Sequence, residues 1–283
     1  MVDLDEFELA RTPDEPAIEH RPARAPWLWL VVAALAVATA AAFYLAVGRI
    51  SRPVTTTTGE ARPAQPAQVR PLGGAAAAID LPPLDQTDPI VRELTKQISS
   101  HPRIAAWLAT DNLIRTFTVA IENVATGSTP AAHLGVWRPA SSFETLARGG
   151  ELVVAPRSYE RYDALADAAA SVDAAGAARL YATLKPRIEQ AHRDLGYPDS
   201  SVDTTLERAI VTLLRTPVPD GAVRVEPKGG GYGYADPALE GLTGAQKQLL
   251  RTGPRNVRLV QSSLRRIALA LGIPADRLPP GGE

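Results

Sequence analysis

The chain has 283 residues, 30 Lys and Arg against 31 Asp and Glu, a formal net charge of -1 and no cysteine. Near neutrality removes the basic footprint that nucleic-acid binding needs, and no recognition motif interleaves aromatics with the arginines. Without cysteine there is neither a disulfide framework nor a thiolate zinc site, a state compatible with an oxidising or a reducing compartment.

Residues 1–26 form a short tail that carries Asp3, Asp5, Glu6 and Glu8. Residues 27–47 hold no charge and are almost wholly apolar. At 1.5 Å rise per residue such a run crosses the roughly 30 Å hydrocarbon core once. Trp27 and Trp29 at one end, with Phe43 and Tyr44 near the other, suit the headgroup level. Ala38-Thr39-Ala40 offers a small-residue cleavage site, but the acidic tail and the length of the run favour an uncleaved anchor. Arg21 and Arg24 on one side nearly balance Arg49 and Arg52 on the other, so charge leaves the orientation open. A lone anchor ahead of a long C-terminal domain points to a cytoplasmic tail and a domain on the far side.

Residues 48–80 read as a flexible Pro/Thr/Ala-rich linker, with Pro53, Pro63, Pro66 and Pro71, threonines at 55–58 and alanines at 75–78. So few large apolar groups cannot offset the entropy of ordering. From 81 to 278 the pattern is globular and mainly α, a multi-helix domain with two or three short strands, and 279–283 form a disordered tail. Asp88-Pro89 is an N-cap followed by a first-position proline, opening a helix to about Ser99. After Ser100-His101-Pro102 one long helix is expected to carry Ile104, Trp107, Leu108, Ile114, Phe117, Ile121 and Val124 on a single face, ending at Gly127. Residues 129–156 are irregular, with one short candidate strand at 152–155.

Ser158 then opens a helix carrying Tyr159, Tyr162 and Leu165, and Asp173 caps a longer one that Pro186 should kink. A helix over 202–214 and a brief strand around Val223 and Val225 follow. The last two helices, 242–251 and 254–271, are broken at Gly253-Pro254 and stopped by Gly272 and Pro274.

No cofactor motif is present, and His101, His133 and His192 lack the spacing of a metal site, so no metal is expected. Lys228-Gly229-Gly230-Gly231-Tyr232-Gly233-Tyr234 resembles a ligand loop, with Tyr232 and Tyr234 as its candidate contacts, yet it lacks the Walker Gly-Lys-Ser/Thr order. A turn whose tyrosines pack back on the domain is the simpler reading. Asp236, before Pro237, reads as an N-cap.

Charge patterning is the stronger signal. Between Glu240 and Asp276 only basic charges occur, and Lys247, Arg251, Arg255, Arg258 and Arg265 recur at helical spacings, with Arg266 beside them. Like charges so spaced repel unless acids from other helices cover them, or unless the face meets an acidic protein, a polymer or lipid headgroups.

Five segments, Leu113-Ile114-Arg115-Thr116-Phe117, Ile121-Glu122-Asn123, Tyr159-Glu160-Arg161-Tyr162-Asp163, Leu195-Gly196-Tyr197-Pro198 and Ala235-Asp236-Pro237-Ala238-Leu239-Glu240, carry a resemblance, and Gly244-Ala245-Gln246-Lys247 extends the last. The domain resembles an uncharacterised bacterial family of membrane-anchored proteins with a domain of unknown function. The resemblance implies a Gram-negative envelope setting, with one helix in the inner membrane and a periplasmic domain, and implies no activity. Two functions are therefore expected to compete. One is a non-enzymatic binding or scaffold module for an envelope partner. The other is a cell-wall-modifying enzyme using Glu144, Glu151 or Glu240 as general acid or base.

Overall fold

The computed structural model describes residues 71–281. Among them lie ten α-helices and one four-stranded antiparallel sheet. The expected membrane span at 27–47, the acidic tail and most of the linker fall outside these residues. No helix among the described residues is long and apolar enough to cross a membrane.

The first helices are α1 (Asp88–Lys96), α2 (Pro102–Leu108) and α3 (Leu113–Ala125). The stripe expected to run along one long helix is thus split, because Asn112 adopts a left-handed φ of 58° that no continuous helix tolerates. Asp88 causes the break. Its carboxylate accepts from the amides of Asn112 at 2.8 Å and Leu113 at 2.9 Å, so it caps α3 rather than its own helix. Arg92 holds the far side of the turn, donating to the carbonyls of Leu108 and Thr110 at 2.6 and 2.9 Å.

The sheet runs in the order β1 (Thr145–Arg148), β2 (Glu151–Val154), β3 (Arg224–Lys228), β4 (Gly231–Tyr234). Two hairpins build it, closed by Gly149-Gly150 and Gly229-Gly230 with φ of 60°, 84°, 54° and 78°. Two successive positive φ values give the turn whose twist matches the flanking strands, which only glycine adopts freely. β1 was not expected: three of its four residues are exposed, so no apolar alternation marks it.

Between β2 and β3 the chain forms α4 (Pro156–Glu160), α5 (Asp163–Ala170), α6 (Ala174–Asp194) and α7 (Val202–Leu214). Asp173 caps α6 as expected, accepting from Ala175 and Gly176, and the helix continues through Pro186. After β4 come α8 (Pro237–Glu240), capped by Asp236 as expected, α9 (Gly244–Leu250) and α10 (Pro254–Leu271).

Two cores result. Val154, Val223, Val225, Tyr234 and Leu250 close a small one beneath the sheet. The larger lies among α3, α6, α7 and α10, where Leu113 and Ala268 are fully buried. Gly253, between α9 and α10, lets the chain pass close to the Tyr159 ring, since at its φ of 89° a Cβ would stand 2.4 Å from it. Residues 71–80, counted above with the linker, lie on the domain. Leu72 is buried, its amide reaches Asp203, and the Gly73 amide donates to the Leu271 carbonyl at 2.9 Å.

Replacing Asp88 by Ala should cost about 1–2 kcal/mol, the worth of a helix cap. Urea unfolding should show this loss for D88A, and almost none for Ala at the exposed neighbour Asp111.

Candidate functional site

The inward stripes of α3, α6 and α10 close on one another only in part. Phe117 on α3, Ala177 and Leu180 on α6, and Val260, Leu264 and Ile267 on α10 remain half-buried and face a shared cavity of about 770 Å³. Its walls are overwhelmingly apolar. At about 24 cal/mol per Å³ of void, sealing that volume empty would cost about 18 kcal/mol, more than the roughly 5–15 kcal/mol stability of a whole domain. The space therefore communicates with solvent or holds a guest. Water suits it poorly, because a buried water needs two to four polar partners and these walls supply few.

A short segment with two 3-10 turns, Ala131–His133 and Gly135–Trp137, lies at the mouth against α2 and α3. Trp137 of this segment meets Trp107 of α2 with ring centroids 6.1 Å apart, tilted by 48°. Both indole N–H groups are buried and lack an acceptor, and so is the hydroxyl of Thr95 in the same lining. Trp N–H normally finds a partner when buried, so three orphaned groups around one cavity call for an explanation. Arg138 follows Trp137 and is the one charged side chain among the lining residues. Its guanidinium makes no hydrogen bond or ion pair with any described residue.

Sequence reasoning placed Trp107 on an apolar face but passed over Trp137 inside an irregular stretch. The available signal was composition: two of the four tryptophans of the chain lie in this domain, about thirty residues apart.

The basic positions are largely paired. Arg255 binds Asp163 at 3.5 Å and Asp167 at 3.0 Å, Lys247 donates to the Glu240 carbonyl at 3.0 Å, and Arg265 donates to the Pro279 carbonyl. Arg251 caps the end of α9 and reaches only Gln248 at 3.1 Å, so its spacing to Arg255 is not a helical one. Arg258 and Arg265 border a shallow pocket of about 310 Å³ beside Gln261. Arg251 and Arg258 meet no carboxylate among the described residues.

The glycine-rich loop is the β3–β4 hairpin. Tyr234 is buried in the small core, which pushes its phenol up to about 12. Tyr232 stands exposed against Phe143, ring centroids 5.3 Å apart. As i and i+2 of one strand the two residues share a face, but Tyr234 is sealed in the small core while Tyr232, near the hairpin turn, is exposed.

The candidate carboxylates are dispersed in role. Glu151 pairs with Arg224 at 2.7 Å across the sheet. Glu240 accepts from the Lys228 ammonium at 2.7 Å and from the Tyr234 amide at 3.1 Å, and these hold its carboxyl down at about 2. A carboxylate so held is a poor proton donor and a weak base near neutral pH. Glu144 engages Ser158 through its backbone amide and carbonyl.

His101 caps α2, accepting from the Arg103 amide, and His192 is buried 3.2 Å from Glu122 and stacked on Tyr197. Among the described residues no three His, Asp or Glu side chains converge as metal ligands.

The class so defined is a mainly helical domain that carries one small antiparallel sheet and an open, apolar cavity among its helices. The chain belongs to the family described as Protein of unknown function (DUF3014), which matches residues 113–268. No curated protein and no solved structure matches it. The matched stretch begins with α3 and ends inside α10, so it contains the main cavity walls, Trp137 and Arg138, and leaves out Trp107.

The lowered pKa of Glu240 sets an acid-side dependence. The stabilisation it brings is complete above its ordinary value of 4.5 and is lost as pH falls toward about 2. Urea midpoints of the wild type and Glu240→Gln should differ at neutral pH and converge across that window.

Proposed function

We propose that the chain is a single-pass, membrane-tethered binding module of the bacterial envelope, and that the apolar cavity is its binding site. One observation carries the binding reading: a space of about 770 Å³ with apolar walls, orphaned donors and, at its exposed edge, Arg138, which pairs with no carboxylate among the described residues. Sites for small molecules have this character, being roughly 300–1,000 Å³ in volume, mostly apolar, with few placed polar groups. The tether rests on the uncharged run at 27–47, and the periplasmic placement on the lone anchor ahead of the domain. The inner membrane is the matching bilayer. Arg251 and Arg258 stay available for an acidic protein, polymer or lipid headgroup as a secondary surface.

Catalysis by Glu144, Glu151 or Glu240 has less support. Two of the three are spent on ion pairs, and the third is exposed in the chain just ahead of β1.

Nile red, an uncharged apolar dye, should enter the full-length chain and brighten, and Leu180→Trp should weaken the uptake severalfold by narrowing the space. Uptake unchanged by that plug would remove the cavity as the site. Alkaline washing should leave the intact chain in the membrane pellet, and replacement of residues 27–47 by a polar spacer should release it.

A further inference from the structure

We infer that the occupant of the cavity is a single-chain amphiphile with an anionic head, of the fatty-acid class, its tail among α3, α6 and α10 and its head at Arg138. The inference rests on the cavity reading above and adds the chemistry of the ligand.

Three observations converge on it. The walls offer the tail nothing but carbon over most of their length, so an apolar chain leaves water without stranding any polar atom. Polar side chains in the lining are few: Ser99, Tyr181, Gln248, Thr252 and Ser263 already have partners, and the groups left without one are Thr95 and the two indoles. Trp107 and Trp137 each present a buried N–H with no partner. A polar headgroup with free oxygens supplies what they lack, whereas a pure hydrocarbon would leave them orphaned.

The sign of the head follows from Arg138. It is the only charged group in the lining, it sits next to Trp137 in the chain, and no described carboxylate neutralises it. A guanidinium matches a carboxylate through two parallel hydrogen bonds, stronger and more directional than those to a neutral hydroxyl. Arg138 is exposed, so a carboxylate that reaches it adds a charge-assisted contact that a neutral head does not make and a cationic head opposes. The volume fits one tail of small-molecule size.

The position of the mouth fits as well. The segment bearing Trp137 and Arg138 is made of two short 3-10 turns between α3 and β1 and is not part of a packed helix. Guest and lid can therefore adjust to each other without unfolding α3, α6 or α10.

The test uses the full-length chain, stripped of lipid and kept soluble in amphipol, titrated with palmitate and with hexadecanol. The two share a tail and differ in the head. Palmitate should bind about tenfold more tightly, the value of one charge-assisted contact. Arg138→Ala should erase that margin by weakening palmitate and leave hexadecanol unchanged. Trp137→Phe, which keeps the ring and removes the donor, should weaken palmitate severalfold.

Equal affinity for both compounds, or an Arg138→Ala variant that weakens both alike, overturns the anionic head and leaves the cavity reading standing. Failure of both compounds together with failure of Nile red overturns the two readings at once. Binding that appears only after residues 27–47 are replaced by a polar spacer makes that apolar segment the occupant and overturns the amphiphile.

Discussion

The stripe of α10 is the constraint on which the domain turns. Its ends are sealed, with Val257 and Ala268 fully buried and Leu271 nearly so. Its middle is looser: Val260, Leu264 and Ile267 are half-buried and line the cavity, although Leu264 and Ile267 also pack against the main core. A helix held tightly at both ends cannot relax inward to fill a gap in its centre, because α5, α6 and α7 already fix its distance from the rest. The cavity is thus a product of firm packing around it.

Electrostatics follow the same division. Where α10 meets α5, Arg255 is answered by Asp163 and Asp167, and the buried Asn256 amide donates to Asp163, to the Tyr159 carbonyl and to the Thr252 carbonyl. These contacts tie α10 to the helices that follow the sheet, and they consume charge that looks unbalanced along the chain. At the cavity mouth the balance fails in the other direction, with a cation and two indole donors left over. A surplus spread over a surface helix is ordinary, but a surplus gathered around an apolar space is a property of a site.

The two kinds of result were unequally legible in the sequence. α7 and α10 could be read almost to the residue, because capping, the 3.6-residue period and the Gly253-Pro254 break all act locally. Asp173 and Asp236 were readable as caps for the same reason. The split between α2 and α3 was hidden, since the carboxylate that enforces it comes from Asp88, a helix away. β1 was hidden because hydrogen bonding to β2, with no buried side, makes it a strand. The pairing of Arg255 was hidden because its acids lie some ninety residues earlier in the chain. The cavity was the least accessible of all. Periodicity says which way Phe117, Leu180 and Leu264 point, but it is silent on whether anything meets them.

One attachment has a mechanical consequence. Where the described chain begins, Leu72 is buried, and the amides of Leu72, Gly73 and Ala77 are bound to Asp203, the Leu271 carbonyl and the Thr183 hydroxyl. A pull transmitted along the preceding residues meets these three bonds in succession. Each spans to a different helix, α7, α10 and α6, so the three are loaded one at a time and not together. Bonds broken one after another yield at lower force than bonds loaded together, so this strip would peel first and spare the walls of the cavity behind it.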